Sequence, residues 1–224
     1  MIKFVPVPIN EHEVILGKDF NGRFAKEMKE YYKPFVKKKR DIQVAKETWE
    51  YAVADSIDGA TWAGSGHNVV DVRTINADID VKGLSTNNIK NHKTTEASFL
   101  QNNKQATDGF VKLFENKDFK TLKEMFVDPL LKKHEGTNNL HLLTVIREKD
   151  TKKVYYCLLK VEATTLSDAD FVAQMSMNGK RSVTMPMIDS AYGNTYLYIP
   201  KRRLELSLNC EGLAPFLVYS HSYV

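Results

Sequence analysis

Between Asn68 and Ser85 apolar and charged side chains alternate. Val70, Val72, Ile79 and Val81 interleave with Asp71, Arg73, Asp78, Asp80 and Lys82. Successive side chains of a strand point to opposite faces. The pattern therefore predicts a β-hairpin with an apolar face and a face carrying all five charges. A turn over Thr74, Ile75, Asn76 and Ala77 sets Asp71 opposite Asp80 and Arg73 opposite Asp78. Opposed carboxylates repel, and a divalent cation is the simplest compensation.

The flanking periodicities predict a mixed α/β order. Residues 1–16 read as extended, limited by Pro6 and Pro8. Phe20, Phe24, Met28 and Tyr31/Tyr32 recur at helical spacing and predict a helix from Asp19 to Val36. A second helix is expected from Asp41 to Ser56, with Asp41 as cap and Val44, Trp49 and Val53 inward. Residues 84–95 are polar, and residues 96–134 read as helical. The apolar runs Asn139 to Arg147 and Lys153 to Ala163 read as paired strands buried on both faces. A short helix is expected from Ser167 to Met175, with strands after it. These elements predict an α/β fold with a mixed central β-sheet flanked by helices. One domain is expected over 1–224: a helical part and Gly-rich loop over 1–67, hairpin, helix and core strands over 68–163, and C-terminal strands and loops over 164–224.

At 224 residues the chain is long enough for one substantial core. Its 42% hydrophobic and 27% charged residues are ordinary for a soluble globular protein. A formal charge of +4 and a pI of about 8.8 permit a polyanionic partner without requiring one. Cys157 and Cys210 sit in apolar segments without metal or redox spacing, and are expected as reduced core residues of a cytoplasmic protein. The amino-terminal stretch lacks the apolar core of a signal peptide, and no apolar run approaches a membrane span. The chain starts with Met and reads as complete.

Asp71, followed by Asp80-Val81-Lys82, resembles the signature of the PD-(D/E)xK nuclease superfamily. Val70 stands where a Pro often precedes the first Asp. In size and polar loops the chain is most similar to type II restriction endonucleases. The resemblance implies a restriction-endonuclease-like core with a catalytic β-hairpin, and a Mg²⁺-dependent, sequence-specific double-stranded DNA endonuclease leaving 5′-phosphates. Asp71, Asp80 and the Val81 backbone carbonyl would hold Mg²⁺, with Mn²⁺ as a substitute, and Lys82 would serve the attacking water. Hard oxygen ligands suit such an ion independently of the resemblance. Asp78 is expected to pair with Arg73. Glu50 on the preceding helix and His67 in the Gly-rich loop are secondary candidates. Related functions are a nickase, a structure-specific nuclease, a toxin DNase or a nonenzymatic nucleic-acid-binding protein.

Basic clusters suit phosphates, which selects Lys38, Lys39 and Arg40, and Lys201 and Arg202. Ser65 and Asn68 belong to a loop whose glycines permit close backbone approach. Asn87, Asn88, Lys90 and His92 carry groups able to meet base edges, and residues 182–194 form another polar candidate. A palindromic target implies a twofold homodimer.

Overall fold

The computed structural model describes residues 1–38, 44–63, 70–89, 96–98, 109–201 and 203–223. The amino terminus forms β1 (Ile2–Pro6). Residues 7–16 were expected to be extended. Instead a 3-10 turn leads into α1 (His12–Leu16). The His12 ring bonds back to the Val7 carbonyl at 3.0 Å and Leu16 is buried, so local bonding overrides the proline-rich start.

Helix α2 (Phe20–Lys37) buries Phe20, Phe24, Met28 and Tyr32, the stripe expected from their spacing. Helix α3 spans Lys46–Ser56, and the expected cap Asp41 lies outside the described residues. Short strands β2 (Thr61–Trp62) and β3 (Val72–Arg73) precede β4 (Asp78–Thr86).

The stretch expected to be helical from 96 to 134 is divided. It holds β5 (Glu96–Ser98), α4 (Gly109–Glu115) and α5 (Phe119–His134). The two helices part at Lys117, whose φ is 56°. Asp118 caps α5 by accepting from the Thr121 amide at 3.1 Å.

The apolar runs form β6 (His141–Glu148) and β7 (Lys153–Ala163), paired antiparallel as expected. Helix α6 (Asp168–Gln174) follows, with Ser167 as its N-cap. Strands β8 (Ser176–Asn178), β9 (Ser182–Met185), β10 (Gly193–Tyr198), β11 (Arg203–Leu208) and β12 (Val218–Ser222) complete the chain.

The central sheet has seven strands in the order β1-β7-β6-β4-β3-β2, with β12 also paired to β7. Strand β4 runs parallel to β6 and the other pairs are antiparallel, so the sheet is mixed. One face is covered by α2 and α3. There Val72, Ile79, Val81, Leu143 and Val145 meet Phe24, Met28 and Val53. The opposite face carries Leu84, Leu142, Ile146 and Leu159 against Leu122 and Phe126 of α5. Burying one such side chain contributes about 1.5–3 kcal/mol, so β6 and β7, apolar on both faces, anchor both cores. The sequence did not reveal a second, five-stranded sheet of order β5-β11-β10-β9-β8. Its Val183, Leu197, Leu204 and Leu206 join the α5-side core.

Helix α3 sits close on β4 because residue 83 has no side chain. A Cβ at Gly83 would stand 2.5 Å from Cδ1 of the Trp49 indole, which is itself 5% exposed. Gly83→Ala must therefore displace Trp49 and tilt α3. The expected destabilisation is about 1–3 kcal/mol, read as a lower urea midpoint. An unchanged midpoint would sink this account of the helix position.

Candidate active site

The β3–β4 turn is fixed by Thr74. Its hydroxyl accepts from the amides of Asn76 at 3.1 Å and Ala77 at 2.9 Å, and its own amide donates to the Ala77 carbonyl at 2.9 Å. The Asn76 side chain donates to the Val14 carbonyl at 2.8 Å, tying the turn to α1. Val72 then stands opposite Ile79, and Arg73 opposite Asp78. The paired register ends there: the Asp71 amide donates to the Ile79 carbonyl at 2.9 Å, one residue out of step, and the Asp71 and Asp80 carboxyls remain neighbours.

The acidic residues of the hairpin's charged face are largely withdrawn from solvent, while Arg73 is exposed. Asp71 is 3% exposed and Asp78 is 8% exposed. Asp71 Oδ2 accepts from the Val81 amide at 2.8 Å. Burial and the neighbouring Asp80 carboxylate push the Asp71 pKa up to about 6, against the opposing effects of Lys82 and the Val81 amide. Asp80 is paired with the Lys82 ammonium, two residues on along the same face. In an extended strand the amide and carbonyl of one residue point to the same edge. The Val81 carbonyl therefore faces Asp71.

Asp78 is occupied elsewhere. Its Oδ2 accepts from the Asn138 amide at 2.9 Å, and its Oδ1 lies 3.8 Å from Arg73 Nε. The hairpin thus contributes one close carboxylate pair, Asp71 and Asp80, and a separate structural Asp78.

Glu50 enters from α3 and is wholly buried. Its Oε2 accepts from the Trp62 indole at 3.2 Å. Its Oε1 lies 2.8 Å from Lys46 Nζ, yet no donor is aligned on that oxygen among the described residues. The same Lys46 ammonium donates to Asp71 Oδ1 at 3.4 Å. Burial works against the Lys46 charge, but Glu50, Asp71 and Asp80 outweigh it and raise its pKa. Lys46 thus bridges the helix acid and the hairpin acid. No three carboxylate, imidazole or thiol groups converge on one point among the described residues. Ammonium groups stand between the carboxylates instead.

Lys46 and Trp62 are the residues that sequence reasoning missed. The four-residue spacing of Lys46 and Glu50 on a helix signals an ion pair. The link to Asp71, distant in sequence, has no local signal. Trp62 also packs against Tyr51 in a tilted arrangement, with ring centroids 4.6 Å apart, and both rings are partly exposed.

Four of the nucleic-acid candidates lie among the described residues, on different elements. Lys38 is exposed at the end of α2. Asn87 and Asn88 follow the carboxyl end of β4, about 23 Å along the chain from Asp80 at roughly 3.3 Å per residue. The Asn87 carbonyl accepts from the Asp150 amide at 2.9 Å. Lys201 lies in the 3-10 turn between β10 and β11. Lys39, Arg40, Ser65, His67, Asn68, Lys90, His92 and Arg202 lie outside the described residues. No helix among the described residues is long and apolar enough to cross a membrane.

No family model, curated protein or solved structure matches this chain significantly.

Asp71 gives the site a pH signature. Its folded pKa of about 6 stands above the ordinary 3.8. The folded protein therefore holds the extra proton between these values. The stability this contributes is full below the lower value and is lost as pH rises through the upper one. Asp71→Asn abolishes the titration. In urea unfolding, the variant should gain stability relative to wild type between pH 4 and pH 7. A pH-independent difference would show that Asp71 titrates normally.

Proposed function

We propose that the protein is a Mg²⁺-dependent endonuclease acting on double-stranded DNA, of the restriction-endonuclease kind. The observation that carries this reading is the close Asp71–Asp80 pair, Asp71 buried and Asp80 partly so, with Lys82 beside it. A surface hairpin has no need to desolvate two like charges.

The donor set fits a hard divalent cation. Asp71, Asp80 and the Val81 carbonyl are oxygen ligands on adjacent strands, and Glu50 offers a buried Oε1 without an aligned donor. Asp71, Asp80 and Val81 would hold the ion, with Glu50 reaching it from α3. When bound, a divalent metal lowers the pKa of a coordinated water and neutralises phosphate charge.

The chain's own side chains orient the rest. Lys82 donates an N–H to the attacking water and places positive charge beside the phosphate oxygens. The water gives up a proton to solvent as its oxygen bonds to phosphorus, the P–O3′ bond breaks, and the 3′ oxygen takes up a proton from solvent. The products are a 5′-phosphate and a 3′-hydroxyl. Sequence specificity and a twofold homodimer, with one strand cut by each subunit, belong to this reading.

Incubating the purified protein with plasmid and Mg²⁺ or Mn²⁺ tests it. Discrete bands are expected, and Asp71→Ala, Asp80→Ala and Lys82→Ala should each lower the rate about 100-fold or more. Absence of cleavage with either metal, or wild-type rates in Asp80→Ala, would overturn the assignment. A smear would indicate a nonspecific nuclease, and nicked circles a nickase.

Lys46 supplies a test independent of turnover. Its ammonium already neutralises Glu50 and Asp71, so a metal reaching both must compete with it. Lys46→Met leaves those carboxylates uncompensated and should unfold at lower temperature. Millimolar Mg²⁺ should raise its Tm by several degrees more than that of wild type. Equal shifts would remove Lys46 from the metal's surroundings.

A further inference from the structure

The acid cluster has an aromatic neighbour to which the metal chemistry gives no role. Trp62 sits on β2, the outermost strand of the central sheet, where both residues are exposed. Tyr51 follows Glu50 on α3. Their ring centroids stand 4.6 Å apart, with the planes tilted by 42°. Tyr51 is 45% exposed and Trp62 is 36% exposed. Single exposed aromatics are ordinary on a protein surface. Sheet edges, however, usually carry charge rather than bulky apolar side chains. Here two large rings pack together on an edge.

The pair is tied to the acids. The Trp62 indole donates to Glu50 Oε2 at 3.2 Å. Glu50 Oε1 lies 2.8 Å from Lys46 Nζ, which in turn lies 3.4 Å from Asp71 Oδ1. Along the sheet, Trp62 stands opposite Val72, and the Ala63 amide donates to the Asp71 carbonyl at 2.8 Å. The indole is therefore fixed in place beside the acids that would hold the ion. The rings carry no charge, so they can hold the part of a ligand that is not phosphate, next to carboxylates that repel phosphate. What a nucleic acid offers such a surface is the flat face of a base. Inside a duplex those faces are covered by the stack, and only base edges reach the grooves. A base meets these rings only when it is unpaired or turned out. Opening a sound pair is costly, whereas a mismatched or already single base costs least.

We infer that Tyr51 and Trp62 stack on an unpaired base of the bound DNA, beside the bond that is cut. The inference rests on the nuclease reading for the class of its ligand. It narrows the substrate to DNA whose base next to the cut is single, mismatched or readily turned out. The two rings hold that nucleotide, and the acid pair and Lys82 serve its phosphate.

Fluorescence anisotropy of a short labelled oligothymidylate, titrated with the full chain in EDTA and again in Ca²⁺, tests it. The single strand should bind in at least one of these conditions. Trp62→Ala and Tyr51→Ala should each weaken it about fivefold or more, the scale of one stacked base. Trp62→Phe loses the bond to Glu50 but keeps a ring, and should stay within about twofold of wild type. An abasic strand of equal charge should bind wild type and Trp62→Ala alike, and so should a closed, fully paired hairpin. Four results would each overturn the inference: no binding of the strand in either condition, wild-type affinity in both alanine variants, Trp62→Phe as weak as Trp62→Ala, or equal sensitivity to Trp62→Ala in the abasic or paired DNA. Plasmid cleavage separates the two readings. Ring-dependent binding by a protein that cuts nothing would keep the stacking site and remove the nuclease. Cleavage by a protein whose Trp62→Ala and Tyr51→Ala variants bind the strand as wild type does would remove only the stacking site.

Discussion

Two carboxylates cannot share a poorly hydrated pocket unless something carries or cancels their charge, and Asp71 against Asp80 imposes that condition on the whole hairpin. The protein meets it in three ways. The Val81 amide donates to Asp71, and Lys82 pairs with Asp80. Lys46 reaches across from α3 to Asp71 and Glu50. What remains uncompensated raises the proton affinity of Asp71. Removing either lysine would leave a buried charge unpaired, a loss that exceeds what the intact pair contributes to stability. The hairpin, helix α3 and strand β2 are therefore bound together by electrostatics as well as by apolar contact.

The backbone makes this arrangement possible at two close approaches. Gly83 lets the Trp49 indole lie directly on β4, which sets the height of α3 above the sheet. Glu50, the next residue, is thereby carried to the sheet margin where β2 presents Trp62. At the other end of the hairpin, Thr74 and Asn76 hold the turn against α1 and the segment before β6. A slip of one residue would send Asp71 and Asp80 into the apolar core and Val72 and Ile79 out of it. Hydrophobic burial and turn bonding thus select the same register, and the carboxylate pair is its consequence.

Much of this was legible in the sequence because it is local. The alternation from Val70 to Lys82 marked the strand faces, and the Thr74–Ala77 turn set Val72 opposite Ile79 and Arg73 opposite Asp78, though not the step out of register at Asp71. The pairing of Asp78 with Arg73 followed from the same arithmetic. The four-residue spacing of Phe20, Phe24, Met28 and Tyr32 marked α2, and the apolar runs marked β6 and β7. The missed features depend on contacts between distant segments. Helix α1 relies on a His12–Val7 bond that periodicity cannot register. Residues 96–98 read as helical, but they pair as a strand with β11, more than a hundred residues later. The Lys46–Asp71 contact and the Trp62–Glu50 bond exist only once α3 and β2 have docked. Sequence patterning sees faces and turns, whereas the electrostatics of a buried site arise from the fold.

The energetic cost of the cluster bears on its purpose. Buried ion pairs are often no more stabilising than apolar side chains of similar volume. A protein needing only a stable hairpin would do as well with valine and leucine at positions 50, 71 and 80. Here Glu50 and Asp71 are both nearly or wholly inaccessible, and each lies against the Lys46 ammonium. The lysines also differ in kind. Lys82 pairs with the residue two positions before it on the same strand, a geometry that holds its ammonium beside the acid pair whichever way α3 moves. Lys46 spans two elements, and its side chain is 55% exposed although both of its partners are buried. It can swing into solvent without opening the core, while Glu50 and Asp71 cannot follow. On the metal-dependent reading proposed above, a cation arriving from solvent would meet two fixed carboxylates and one displaceable ammonium, an asymmetry that suits ion exchange better than permanent structural pairing.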